Sequence, residues 1–155
     1  MDEVSILHYL KETFEDIHVV TSNGNYFFFY SPNKKLPERA MPFATLVTND
    51  DYDKVSLLNR PGVFRLNIGI SKATYHSLLG KPPSPPSSDD AINSEHDFTV
   101  LDQLLPHPIY GHLFWVCILN PNPTTFHQII KPLLTEAYET AVRKQKKREH
   151  SLDEN

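Results

Sequence analysis

The stretch Val63–Ile70 (VFRLNIGI) sets two unlike faces back to back. Strand alternation puts Phe64, Leu66, Ile68 and Ile70 on one side and Arg65, Asn67 and Gly69 on the other. The first set belongs to a core. The second places a guanidinium beside an amide, which together offer planar donors for a carboxylate or other oxyanion and a neutral group to orient it. The plainer alternative is an ion pair of Arg65 with Asp50 or Asp53 that closes a loop.

The second chemically dense segment is Pro106–Trp115 (PHPIYGHLFW), which holds His107, Tyr110, His112 and the only Trp of the chain, Trp115. Neutral His is suited to proton transfer near neutral pH, and Tyr can donate a proton or hold an oxyanion. Read as a strand, His112–Leu119 puts His112, Phe114 and Val116 on one face and Leu113, Trp115 and Cys117 on the other. The ordinary role for each His is a satisfied structural hydrogen bond, and for the Trp a core or pocket wall. His107 and His112 across a Pro–Gly loop match no recognised metal-ligand spacing, so no metal site is expected. Cys117, in an apolar strand, reads as a buried and inert thiol. Gly-x-Ser-x-Gly, phosphate-loop, Rossmann and His-Glu-x-x-His patterns are all missing, so no cofactor is expected.

A third segment, Tyr26–Tyr30 (YFFFY), carries aromatics on both faces of one strand. One row must face the core, and the other is free to line a pocket or meet a partner. With Phe43 and Trp115, the residues Phe28 and Tyr30 complete an aromatic wall around Arg65 and Asn67.

These groups need elements to position them. Residues 3–14 carry Ile6, Leu7, Leu10 and Phe14 at helical spacing behind an Asp2 cap. Ile17–Thr21 and Tyr26–Tyr30 flank Ser22-Asn23-Gly24-Asn25, a hairpin signal of the type that needs positive φ at Asn and Gly. Ser31–Pro42 reads as a loop, Phe43–Thr48 as a strand, and Asp50–Leu58 as a short helix. Ser71 caps a helix over Lys72–Leu79, and Phe98–Leu105 reads as another, stopped by Pro106 and Pro108. Asn122-Pro123 opens the last helix, with Phe126, Ile129, Ile130, Leu133, Ala137, Tyr138 and Ala141 inward and Pro132 as a kink or break. Strands in runs, without strict βαβ alternation, predict an α+β sandwich: an antiparallel sheet of about five strands with N- and C-terminal helices on one face.

At 155 residues, 39 % hydrophobic and 11 % aromatic, the chain has the size and apolar content of one folded domain. That domain spans residues 1–142. Residues 81–96 (KPPSPPSSDDAINSEH) cannot bury a face and read as a mobile surface insertion. Five of the fifteen basic residues fall in a C-terminal run, Arg143, Lys144, Lys146, Lys147 and Arg148, within a tail over 143–155. The body before it is acidic, and no Lys or Arg occurs between Pro82 and Ile130. Nucleic acid is therefore expected to bind only through that tail, if at all. No apolar run is long enough to span a bilayer and Asp2 and Glu3 open the chain, so a cytoplasmic protein without a membrane partner is expected.

The segments Phe28–Tyr30, Met41–Thr48 (MPFATLVT), Arg60–Gly69 (RPGVFRLNIG), His107–Gly111 (HPIYG), Trp115–Pro121 (WVCILNP) and Leu133–Ala141 together resemble an uncharacterised domain-of-unknown-function family of small proteins. More remotely, an early helix, a meander, a Trp-bearing strand and a C-terminal helix are similar to the MmcQ/YjbR-like group. That resemblance implies a compact α+β fold.

Two functions follow as expectations. One is a small-molecule site for a largely apolar substrate bearing a carboxylate or carbonyl. In it Arg65 holds the oxygen, His107, Tyr110 or His112 moves a proton, and Asn67, Tyr30, Phe28, Trp115 and Phe43 bind the rest. Without a cofactor its reaction class is isomerase, cyclase or lyase. The other is a non-catalytic protein- or nucleic-acid-binding module that uses the aromatic strand and the basic tail.

Overall fold

The Asn23-Gly24 turn is the point from which the sheet grows. In the computed structural model, which describes residues 1–36, 40–86 and 96–153, Asn23 and Gly24 both take positive φ, 51° and 82°. They join β1 (Ile17–Ser22) to β2 (Asn25–Tyr30) in the hairpin that the dipeptide demands. Next come β3 (Ala44–Val47), β4 (Arg65–Gly69), β5 (Leu105–Pro106) and β6 (Trp115–Leu119). The result is one antiparallel, six-stranded sheet in the order β1-β2-β3-β4-β6-β5.

Helix α1 (Glu3–Thr13) starts where Asp2 accepts the Ser5 N–H at 2.8 Å, and α2 (Lys72–Leu79) where Ser71 accepts from Thr74 at 3.1 Å. Asn122 caps the third helical segment, with Pro123 at its first position. That segment runs through α3 (Pro123–Thr125) and a wide turn, Phe126–Ile130, into α4 (Lys131–Asp153). No described helix is long and apolar enough to cross a membrane.

Strand alternation decides what each layer buries. Phe28, Ala44, Leu46, Leu66, Ile68, Val116 and Ile118 pack beneath the helices, against Ile6, Leu10, Tyr75, Phe126, Ile130, Leu133 and Leu134. The reverse face is covered by loops. Val47, Leu58 and Leu119 form one cluster there, and Phe98, Leu105 and Cys117 another.

Several expected elements take a different form. Asp50–Leu58 is not a helix: Asp50 accepts the Leu58 N–H at 2.8 Å and Leu57 adopts a φ of 51°. Its acidic side chains accept backbone N–H groups that a helix would pair with carbonyls, Leu58 by Asp50 and Val55 by Asp53. Phe98–Leu105 is not a helix either. Asp97 binds Thr99 through backbone and hydroxyl, Asp102 takes φ 60° and ties to Asn122, and Leu105-Pro106 then pairs with β6 as a sixth strand. The strand expected from His112 begins only at Trp115. Gly111–Leu113 is a tight 3₁₀ turn and Phe114 a left-handed residue, with φ 67°.

Pro132 lies in the first turn of α4, directly after a π turn that interrupts the helical run from Pro123. The preceding turn is widened, with the Lys131 N–H donating to the Phe126 carbonyl five residues back. A π turn there loosens the backbone ahead of the ring that would otherwise clash one turn earlier. The extra residue also rotates the helix face, and Ile129, expected inward, is 39 % exposed. Of the Pro/Ser-rich stretch 81–96, positions 87–95 lie outside the described residues.

Candidate functional site

The Arg65 side chain is spent within the protein. Its Nη2 and Nη1 reach the two Asp53 carboxylate oxygens at 2.7 and 3.0 Å, Nη1 also donates to Ser56 Oγ at 2.9 Å, and Nε donates to Asn67 Oδ1 at 3.1 Å. Asn67 in turn donates to Thr45 Oγ1 at 2.9 Å. Arg65 is 1 % and Asn67 2 % exposed, so the network lies between the sheet and the loop after β3. Burial works against the Asp53 carboxylate, but the Arg65 hydrogen bonds and charge outweigh it and hold the carboxyl below its usual range. The guanidinium thus clamps the 50–60 loop onto the reverse face.

His107 does comparable work for its own loop. Its Nδ1 accepts the backbone N–H groups of Ile109 and Tyr110, each at 3.0 Å, and its carbonyl accepts from Gly111. With Nδ1 accepting twice, the ring's proton sits on Nε2. Burial, and then the Arg65 charge, push its pKa down to about 3 against the opposing pull of Asp53, so the ring is neutral. The motif His107-Pro108-Ile109-Tyr110-Gly111 is a side-chain-capped turn. Tyr110, stacked obliquely on His107, is half exposed. His112 lies in the 3₁₀ turn with its Nδ1 buried and unpartnered among the described residues. Cys117 is fully buried, its thiol pushed up to about 12 by burial, and it contacts the Pro106 carbonyl at 3.5 Å.

The open site lies at one end of the sheet. Antiparallel pairing brings the end of β2, the start of β3, the end of β4 and the start of β6 to the same edge, with Gly69 directly opposite Trp115. There Tyr30, Phe43, Gly69, Ile70 and Trp115 meet the 40–43 segment and one face of α4 around a cleft of about 500 Å³. Helix α4 contributes Ala137, Thr140 and Ala141, then Lys144, Lys147 and Arg148 at the rim. That volume lies within the roughly 300–1,000 Å³ of small-molecule sites. None of the three cations forms an ion pair among the described residues, and no Asp or Glu lines the cleft there. Arg148 donates only to the neutral Gln145 side chain, at 3.1 Å.

Of the residues expected in a site, Tyr30, Phe43 and Trp115 line this cleft. Phe28 is fully buried under the helices, and Arg65 and Asn67 lie in the loop-covered network. His107, Tyr110 and His112 are not among the lining residues, although Leu113, the next residue, is. No group of His, Cys, Asp and Glu among the described residues is arranged to hold a metal. The cations at the rim were legible as a basic run, and their signal was spacing. Positions 137, 140, 141, 144, 147 and 148 recur at three and four residues, so small and then basic side chains continue one helical stripe.

The fold and cleft define a two-layer α+β protein whose sheet edge, together with its last helix, frames an aromatic cleft with a cationic rim. The chain belongs to DUF6194, a family of unknown function, whose match covers residues 1–150. No curated protein and no solved structure matches the chain, and the family match does not extend to the MmcQ/YjbR-like group.

Proposed function

We propose that the protein binds a largely apolar small molecule carrying a carboxylate, apolar body against Trp115, Phe43 and Ile70, anionic group toward Lys144, Lys147 and Arg148. The observation that carries this reading is the rim of three cations, unpaired among the described residues, on an otherwise aromatic and aliphatic cleft. An anion there meets charge-assisted donors, while the apolar body is removed from water on the walls. Binding, rather than isomerase, cyclase or lyase turnover, is the function put forward. Among the described lining residues only Tyr30 and the two lysines could move a proton, with no His, Asp, Glu or Cys beside them to act as a partner. The same proposal takes the protein to be cytoplasmic; no described helix is long and apolar enough to cross a membrane.

Trp115 is the only Trp, so its emission reports on the cleft directly. Adamantanecarboxylate, which does not absorb at the excitation wavelength, is expected to shift that emission saturably, and adamantanol to bind at least about tenfold more weakly. Replacing Lys144, Lys147 and Arg148 together by Ala should erase the preference for the acid. Equal affinity for acid and alcohol in the wild type would sink the proposal. Tight, steeply salt-dependent binding of a single-stranded oligonucleotide, lost in the same variant, would favour the nucleic-acid module instead.

A further inference from the structure

Gly69 stands where a strand has little use for glycine. It is the last residue of β4, still paired with Trp115, and its φ is not in the positive range that Gly24, Gly62 and Gly80 occupy. The backbone there accepts any residue, so the missing side chain needs another cause. The neighbour supplies it: a Cβ at position 69 would lie 3.0 Å from both Cε2 and Cζ2 of Trp115, and 3.3 Å from its Nε1. The indole occupies the space that a side chain would fill, and both residues line the cleft.

We infer that Gly69 is a specificity-determining residue: by seating the Trp115 indole against β4 it keeps the cleft deep enough for a bulky apolar body. This rests on the binding reading above and names the feature that sets ligand size. The two residues are cross-strand partners in the ladder, so the Trp115 backbone cannot retreat from a new Cβ. The indole has to give way by a few tenths of an ångström instead, and it moves within a cleft that it lines together with Gly69. A methyl group at position 69 therefore makes the cleft shallower without removing a single contact to the cationic rim. A compact acid keeps its site, and a bulky one loses it.

The test compares adamantanecarboxylate with cyclohexanecarboxylate, by backbone-amide NMR shifts of the full chain. In wild type both acids bind, and failure of both overturns the binding reading itself. In Gly69→Ala the bulky acid is expected to weaken about tenfold and the small one by less than about threefold. Equal losses, or none, with wild-type binding intact, overturn the role of Gly69 alone. Trp115→Phe, which shortens the ring and leaves Gly69 in place, gives a second reading should Gly69→Ala not fold. It is expected to favour the bulky acid over the small one by about threefold relative to wild type, and an unchanged ratio overturns the inference.

Discussion

Asp53→Ala is expected to cost about 3–5 kcal/mol of unfolding free energy, a drop in Tm of roughly 10 °C for a chain of this size. The reason is what it leaves behind. The Arg65 guanidinium is 2 % exposed by side chain and cannot lose its charge, so without the carboxylate at 2.7 Å it is a buried cation held by neutral groups alone. Arg65→Met should cost much less. The Met side chain refills the apolar part of the channel, and the Asp53 side chain, 10 % exposed, can rehydrate or take up a proton. Urea midpoints of the two variants check the asymmetry. Equal losses, or a loss under about 1 kcal/mol for Asp53→Ala, would mean that the clamp contributes no more than a surface pair does.

Stability is expected to fall with acid well before the carboxylates titrate, and His107 is the cause. Its folded pKa of about 3 lies below the ordinary 6.5, so between those values the unfolded chain binds a proton that the folded chain refuses. The contribution is fully present above pH 6.5 and is lost on descending toward pH 3, at about 1.4 kcal/mol per pH unit. Arg65 and Asp53 are the charged groups that act on the ring, one opposing its protonation and the other favouring it. Asp53 acts in a lower window. Its folded pKa is depressed below 3.8, so its contribution persists above that value and is lost only as pH falls through the depressed pKa. His107→Asn, which keeps an acceptor near the Ile109 and Tyr110 N–H groups, should flatten the profile between pH 6.5 and 4. Denaturant midpoints across that range decide the matter, and an unchanged slope in the variant would assign the acid sensitivity to other groups.

Local rules carried far in this chain because they act over a few residues. Asp2, Ser71 and Asn122 cap their helices, Asn23-Gly24 turns the hairpin, and the alternation of Val63–Ile70 separates core from reverse face as the residue types dictate. The candidate site was legible in part for the same reason. Tyr30, Phe43 and Trp115 have the composition of a pocket wall, and the strand ends at Tyr30 and Phe43 were visible, whereas that at Trp115 was not. Which strand ends share an edge was not visible, because that depends on pairing across the sheet. Nor was the choice for Arg65 between a ligand and Asp53: both suit a guanidinium, and only the path of the 50–60 loop brings one of them within 2.7 Å.

The two misassigned helices have one origin. Asp50–Leu58 and Phe98–Leu105 carry helix-compatible side chains, but contacts with distant partners take their polar groups: Asp53 goes to Arg65 and Asp102 to Asn122. Sequence by itself determined the α+β class, the caps, the hairpin and the two-faced strand, all set by backbone preference and side-chain period. Tertiary structure alone decided that Arg65 and His107 are used up inside the fold, and that Lys144, Lys147 and Arg148 join Trp115 around a cleft. A charged or aromatic side chain has no role until the fold supplies its nearest partner, and for Arg65 the carboxylate partner comes from twelve residues away, on the loop after β3.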